Sequence, residues 1–367
     1  MGKQGRMAQE RRRVSASPSC PPLHLPIFDH TMSHGVKRAR QSPEAVAARK
    51  QKEQAKLNEY ISLTDTIFSK KKSEDWSQDA FQLTTRLLQL NPEFYTIWNY
   101  RRNIMTKGLF PASTPEQIND LLSTDLQMTT AALKQHPKVY WIWNHRRWCL
   151  ENVPLGPPGD DHGWRKAHWD RELFVVEKML DVDARNFHAW GYRRYVLASM
   201  PVPRHPHTEL DYTTRKIEAS FSNFSAWHQR TKVLQTLWDN GELDPVQSRE
   251  EEFELVHNAL YTDPADQSAW LYHRWLIGEG KDRAVVEREM SVIQELLDEQ
   301  PDSKWCMETL VHYKRISIRT HSNELTAMER NKLADECGEL LKRLIELDPA
   351  RRRRYEEIST DVDSTKL

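Results

Sequence analysis

One pattern recurs along this chain at a long, nearly regular interval: a tryptophan with an aromatic residue three positions before it and a base three positions after it. The tryptophans Trp98, Trp143, Trp190, Trp227 and Trp270 stand 45, 47, 37 and 43 residues apart. The aromatic partners are Tyr95, Tyr140, Phe187 and Phe224, with Gln267 in the fifth copy. The bases are Arg101, Arg146, Arg193 and Arg230, with His273 last; one position further come Arg102, Arg147, Arg194, Thr231 and Arg274. Self-similarity at this period is the mark of a repeat array. Spacings of three and four put residues on one face of a helix, so aromatic, Trp and Arg are expected to form one stripe. Pro92, Pro137 and Pro264 precede three copies, as in the first turn of a helix. The run before each Pro is amphipathic, for example Ala80–Leu90 with Phe81, Leu83, Leu87 and Leu88. Each unit therefore reads as helix, tight turn, helix, and one such hairpin cannot bury its own apolar face. The predicted fold is all-α: a right-handed superhelical array, or solenoid, of helical hairpins. No strand pattern competes. In this reading the Trp residues fill the seams, and the Arg residues stack on aromatics or bond loop carbonyls of the next repeat.

The ends of the chain differ from this interior. Residues 1–43 are basic and Pro-rich and are expected to be disordered, with Met32 as a second translation start and Lys37–Arg40 as a solvated basic cluster. Ser42-Pro43-Glu44 has the form of a helix start. Hairpins are expected to run to about Gly280, and a degenerate sixth unit would keep Trp305. The repeat domain is assigned to residues 44–358 and a flexible tail to residues 359–367.

Composition closes off several function classes. Lys+Arg and Asp+Glu are both 53, so no overall positive charge argues for nucleic acid. No apolar run is long enough to span a membrane as a helix. Cys20, Cys149, Cys306 and Cys337 are scattered, which indicates neither a disulfide framework nor a zinc cage, and suits a reducing, cytoplasmic setting. There is no glycine-rich phosphate loop and no His-Glu-x-x-His. His205-Pro-His207 sits in a proline-rich loop without further ligands near it in sequence, and Cys149 reads as packing rather than a nucleophile.

One feature exceeds packing. Every turn before a Trp helix falls on the same edge of such an array, and helix N-termini attract anions. Only the second and third units place Lys138, Arg185 and His188 together on that edge, which makes it a candidate phosphate site completed by another chain. Ordinary surface charge is the alternative.

The aromatic-x-x-Trp-x-x-Arg-Arg units in a hairpin array resemble the alpha subunits of protein prenyltransferases, from about Glu44 to Tyr355. Within that family, residues 34–38, 223–228 and 303–306 resemble the Rab geranylgeranyltransferase branch, in its shorter, fungal-type form. So does Asp263–Trp275, the sharpest of the four stretches. The resemblance implies a crescent of hairpins wrapped around a beta subunit that carries the catalytic zinc and most of the isoprenoid pocket. It implies geranylgeranyl diphosphate as co-substrate, a Rab GTPase presented by an escort protein, and attack by a zinc-bound thiolate on the isoprenoid C1. No cofactor is expected on this chain alone. Lys138 and Tyr140 match the second-repeat Lys and Tyr that the family places near the diphosphate. Asn186 and His188 match the third-repeat pair, while Phe187 replaces the Tyr of farnesyltransferase. Lys138 is thereby assigned the main role, Tyr140 and His188 supporting catalytic ones, and Arg185 and Asn186 places on the diphosphate edge. Two alternatives remain: the alpha subunit shared by farnesyltransferase and type I geranylgeranyltransferase, and a non-enzymatic helical scaffold.

Overall fold

The computed structural model describes residues 42–364 apart from 158 and 161, so the expectations for residues 1–41 lie outside the described residues. Two units are distinguished, Met1–Glu59 and Tyr60–Leu367, and all the hairpins belong to the second. The first described helix, α1, runs Pro43–Lys72 and starts as its sequence predicts, with the Ser42 hydroxyl accepting the Ala45 N–H.

Six hairpins follow. They are α2 (Gln78–Leu90) with α3 (Tyr95–Ile104), α4 (Pro115–Gln135) with α5 (Tyr140–Glu151), and α6 (Gly163–Val182) with α7 (Phe187–Ser199). Next come α8 (Pro206–Ala219) with α9 (Phe224–Asp239), α10 (Pro245–Thr262) with α11 (Gln267–Ile277), and α12 (Arg283–Glu299) with α13 (Lys304–Thr320). Among the described residues two further helices follow, α14 (Ala327–Leu347) and α15 (Arg352–Asp363). Local sequence sets the starts: Pro115, Pro206 and Pro245 open their helices, and Thr114 with Gln117 and Thr326 with Glu329 form capping boxes. A π-helical stretch, Met105–Leu109, ends the first hairpin. Gly108 is required there, because a Cβ would lie 2.1 Å from the Trp76 carbonyl oxygen.

The five Trp residues are buried, none more than 4% exposed. Each closes its own turn. Its indole N–H donates to the carbonyl six residues earlier, at Pro92, Pro137, Ala184, Phe221 and Pro264, over 2.6–3.0 Å. Four of the rings also pack on the next hairpin: Trp98 on His145 at 4.7 Å, Trp143 on Tyr192 at 4.9 Å, Trp190 on Tyr212 at 6.0 Å and Trp227 on Tyr272 at 4.5 Å. The prolines thus sit in the turn, three residues before the helix, rather than in its first turn. There their carbonyls receive the indole, which a place inside the helix would turn toward the following turn of backbone.

The arginines three after each Trp meet the expectation in part. Arg101 and Arg193 stack on Phe81 and Tyr212, at 3.7 and 3.5 Å. The main partners of these arginines, however, are not loop carbonyls: they are buried in ion pairs with the first helix of the next hairpin. Arg146 meets Glu172 through Nε at 2.6 Å and Nη2 at 2.7 Å. Its Nη1 donates to the Leu126 carbonyl and the Thr129 and Thr130 hydroxyls at 2.7–2.8 Å. Arg230 repeats this on Glu252, Leu210, Thr213 and Thr214, and Arg101 on Asp125, Phe81, Thr84 and Thr85. His273 takes the place in the fifth unit, bonded to Glu289 at 2.8 Å. Each carboxylate is also held from its own hairpin, by His145 on Asp125, Tyr192 on Glu172, Gln229 on Glu209 and Tyr272 on Glu252. Arg193 is the weak rung: its Nε donates to Glu209 at 2.9 Å and its plane lies 3.5 Å from the Tyr212 ring, but its buried Nη1 has no partner. The cause is in α6, where Val176 and Glu177 stand in place of the Thr pair.

Other expectations change as well. The aromatic member is not in the buried stripe: Tyr95, Tyr140, Phe187 and Phe224 are 49–61% exposed. They are the first residues of their helices, ahead of the point where the next hairpin covers the face. The second Arg of each pair is less uniform than its recurrence suggests. Arg102 reaches His145 at 3.2 Å, Arg147 lies over Tyr195 at 4.4 Å, Arg274 reaches Thr309 at 3.2 Å, and Arg194 is exposed. In the sixth unit the helix cap is Ser303, so the buried Trp position falls on Met307 and not on Trp305, which lies two residues too early. Residues 359–363 are not a loose tail but the end of α15, where Val362 is buried.

Candidate functional site

The N-termini of α3, α5, α7, α9, α11 and α13 all follow a turn between paired helices, and successive turns touch. The Asn186 amide donates to the Pro137 carbonyl at 3.3 Å, the Arg185 guanidinium to the Ser222 carbonyl at 2.8 Å, and the Ser268 hydroxyl to the same carbonyl at 3.4 Å. The exposed aromatics continue the contact, Tyr95 against Trp141 at 5.3 Å and Tyr140 against His188 at 4.3 Å.

On this edge Lys138, Tyr140 and His188 are brought together. Lys138 is 71% exposed along its side chain, and its ammonium lies 3.7 Å from the Asp183 carboxylate. The His188 ring stands edge-on to Tyr140 and rests on Phe187 at 3.9 Å. Partial burial pushes the His188 pKa below its ordinary value, and the Lys138 charge pushes it the same way. His188 is therefore a neutral imidazole at pH 7, able to share one hydrogen bond as donor and one as acceptor.

The other two residues are built in differently. The buried Asn186 caps α7, its side-chain oxygen accepting the His188 and Ala189 N–H groups at 3.0 and 3.2 Å. It fixes the start of the helix that carries His188. Arg185 reaches along the edge to the next turn. The caps also distinguish the helices: α7, α9, α11 and α13 have side-chain caps from Asn186, Asn223, Asp266 and Ser303, whereas α3 and α5 have none. The first-turn amides of α5, two residues beyond Lys138, are thus left to solvent or an anion. An ammonium, an uncapped helix start, a phenol and a neutral imidazole together suit a phosphate-type anion, opposed by the Asp183 carboxylate.

Among the described residues, three side-chain clusters have metal-ligand composition, and none includes a residue of that edge. Asp125, His145 and Cys149 are closed off by Arg101, and burial raises the Cys149 thiol well above its ordinary pKa. His257, His273 and Glu289 share a closed network with Arg288 and Tyr313. The third cluster corrects an expectation: His205 and His207 do have a further donor, Glu242, brought from the turn after α9.

Sequence reasoning missed the carboxylates of the ladder. The signal was present: an acid stands eighteen residues before each Trp position from the second unit on, at Asp125, Glu172, Glu209, Glu252 and Glu289. Asp183, the counter-ion of Lys138, carried no such repeat.

Comparison with known proteins bears on all of this. Residues 77–108, 122–153, 169–200, 206–237 and 249–279 match the protein prenyltransferase alpha subunit repeat. The chain is 36% identical over 356 residues to a Schizosaccharomyces pombe protein named geranylgeranyl transferase type-2 subunit alpha, covering 90% of this chain and 99% of that one. It is 34% identical to the Candida albicans protein of the same name, covering 88% and 96%. The Homo sapiens protein of that name is 37% identical over 250 residues, 67% of this chain but 42% of the human one. A chain in the structure titled Candida albicans protein geranylgeranyltransferase-I complexed with GGPP superposes with a TM-score of 0.62 at 20% identity, covering 83% of this chain and 91% of that one.

Proposed function

The chain belongs to the protein prenyltransferase alpha-subunit family, and from that premise we propose that it is the alpha subunit of a heterodimeric type 2 geranylgeranyltransferase, which transfers geranylgeranyl from its diphosphate to C-terminal cysteines of Rab GTPases. The observation that carries this reading is the match to fungal type-2 alpha subunits over 96–99% of their length. The likeness to the type I structure, at 20% identity, supports the fold alone.

Lys138 lies beside the leaving diphosphate. As the bond between the isoprenoid C1 and the diphosphate oxygen breaks, negative charge collects on the leaving group, and an ammonium already in place favours that state over the ground state. The free α5 amides, the Tyr140 hydroxyl and neutral His188 add hydrogen bonds. Asn186 fixes the His188 helix start, and Arg185 extends the positive edge. Asp183 holds Lys138 in the absence of substrate and yields it to the stronger anion.

The catalytic zinc and most of the isoprenoid pocket belong to a beta subunit, and the acceptor cysteine to the Rab. Zinc there supplies a thiolate at neutral pH. The donor clusters among the described residues do not suit that role: two are closed by internal hydrogen bonds, and the third is a surface cluster without a thiol. An escort protein presents the Rab, and the enzyme works in the cytoplasm.

The test is prenyl transfer by the co-expressed heterodimer, offered either a Rab–escort complex or a CaaX peptide. Transfer to the Rab alone is expected. Efficient transfer to the CaaX peptide would reassign the chain to the shared farnesyl and type I subunit, and failure to recover any beta subunit would leave the scaffold reading.

A further inference from the structure

The loop that enters α8 and the turn that leaves α9 lie at the end of the fourth hairpin opposite its Trp-closed turn. The geometry points to a divalent-metal site there, formed by His205, His207 and Glu242 and suited to Zn²⁺. Their donor atoms all lie within 4.8 Å of one another. Around a tetrahedral zinc with bonds of about 2.0–2.2 Å, donors are about 3.3–3.6 Å apart. Small rotamer changes of surface side chains close that difference. His205 Nε2 already stands 3.1 Å from a Glu242 carboxylate oxygen.

Three features separate this from a chance ion pair between a histidine and a glutamate. A single ion pair needs one imidazole, but a ring nitrogen of His207 also lies within 4.8 Å of the carboxylate, and the two rings are 5.0 Å apart and within 20° of parallel. The other Glu242 oxygen accepts the Asn240 amide at 2.9 Å, which orients the free oxygen toward the histidines as outer-sphere partners orient ligands in metal sites. The backbone is also fixed in advance. Pro201, Pro203 and Pro206 stiffen the histidine loop. Gly241, at φ +69°, turns the chain after α9, and the Glu242 N–H bonds the Leu237 carbonyl at 2.9 Å. The neighbouring cation does not oppose a metal, because Arg204 is engaged with Asp170 at 3.2 Å.

Binding has one local cost. His205 Nδ1 accepts the His207 N–H at 3.4 Å, and a metal on Nε2 places the ring proton on Nδ1 instead, so this long contact is given up. Two imidazoles and one carboxylate leave a coordination position for water, a donor set used by zinc. The site clips both chain ends of the hairpin together, so metal stabilises the folded form by mass action.

The full-length chain, dialysed against zinc in the micromolar range, should take up one equivalent. Cobalt in its place should show visible absorption bands of a low-symmetry site. His207→Ala and Glu242→Gln leave the α8 cap atom of His205 intact, and each should weaken uptake by about tenfold or more and remove the zinc-dependent rise in Tm. Circular dichroism on the variants checks that the helices persist. Absence of zinc uptake by the folded wild-type chain overturns the site, as does uptake by both variants equal to wild type.

Discussion

Arg146 and Lys138 stand eight residues apart on the same hairpin and occupy opposite electrostatic worlds. Arg146 is 1% exposed, and all three of its guanidinium nitrogens are engaged, with Glu172 taking two and the α4 Leu126 carbonyl and Thr pair the third. Burial alone would lower its pKa, but Glu172 outweighs that and raises it. Lys138 has one loose counter-ion and open solvent. The first charge is spent on structure: it fixes which helix follows which, and in what register. The second is free for a substrate that forms charge during reaction. A base that recurs at the same position in several units is thus a packing element, while one confined to a single edge position is the better functional candidate.

Breaking the interior should have the largest effect. Arg146→Ala leaves the Glu172 carboxylate buried with only the Tyr192 hydroxyl bonded to it, at 2.8 Å. The expected loss is about 3–5 kcal/mol of stability, seen in denaturant unfolding of the full chain. Arg193→Ala, at the rung whose Nη1 is already unpartnered, should cost less. Equal losses would show that the Thr pair adds nothing to the stronger rung.

The edge should respond in the reverse sense. Lys138→Ala should leave unfolding unchanged but lower single-turnover prenyl transfer by the assembled heterodimer by about 10–1000-fold. A rate within about twofold of wild type, well under 1 kcal/mol of barrier, would return Lys138 to ordinary surface charge.

A smaller effect separates the two regions by pH. Burial pushes His145 down to about 4, against the pull of its bond to Asp125. Between that value and the ordinary 6.5 the unfolded chain binds a proton that the folded chain does not. Stability therefore falls as pH drops below 6.5, by about 1.4 kcal/mol per unit at most. His145→Gln, which keeps a donor for Asp125, should flatten stability over that window. His188 lies at the edge, only partly buried, and its replacement by Gln should leave the profile nearly as it was.

The hairpins and their order were legible in the sequence because they rest on local information: a helical period and a Pro near a turn act within about one to two turns of helix. The starts of the Trp helices were read three residues early, at Pro92, Pro137 and Pro264, because those prolines serve the turn. The Lys138–His188 edge was legible for the same reason, since equivalent positions in adjacent repeats fall side by side. What the repeats left open was the chemistry between hairpins. Glu172 lies twenty-six residues from Arg146, and Glu209 only sixteen from Arg193, so no single spacing announces the pair. Met307 rather than Trp305 fills the sixth seam because the Ser303 cap sets the register there, and the Trp was the more conspicuous residue. Glu242 meets His205 and His207 only because α8 and α9 run antiparallel and return the chain to its starting end. Local propensity determined the repeating unit, and the partners of its buried charges were decided by stacking, which brings together residues that sequence distance keeps apart.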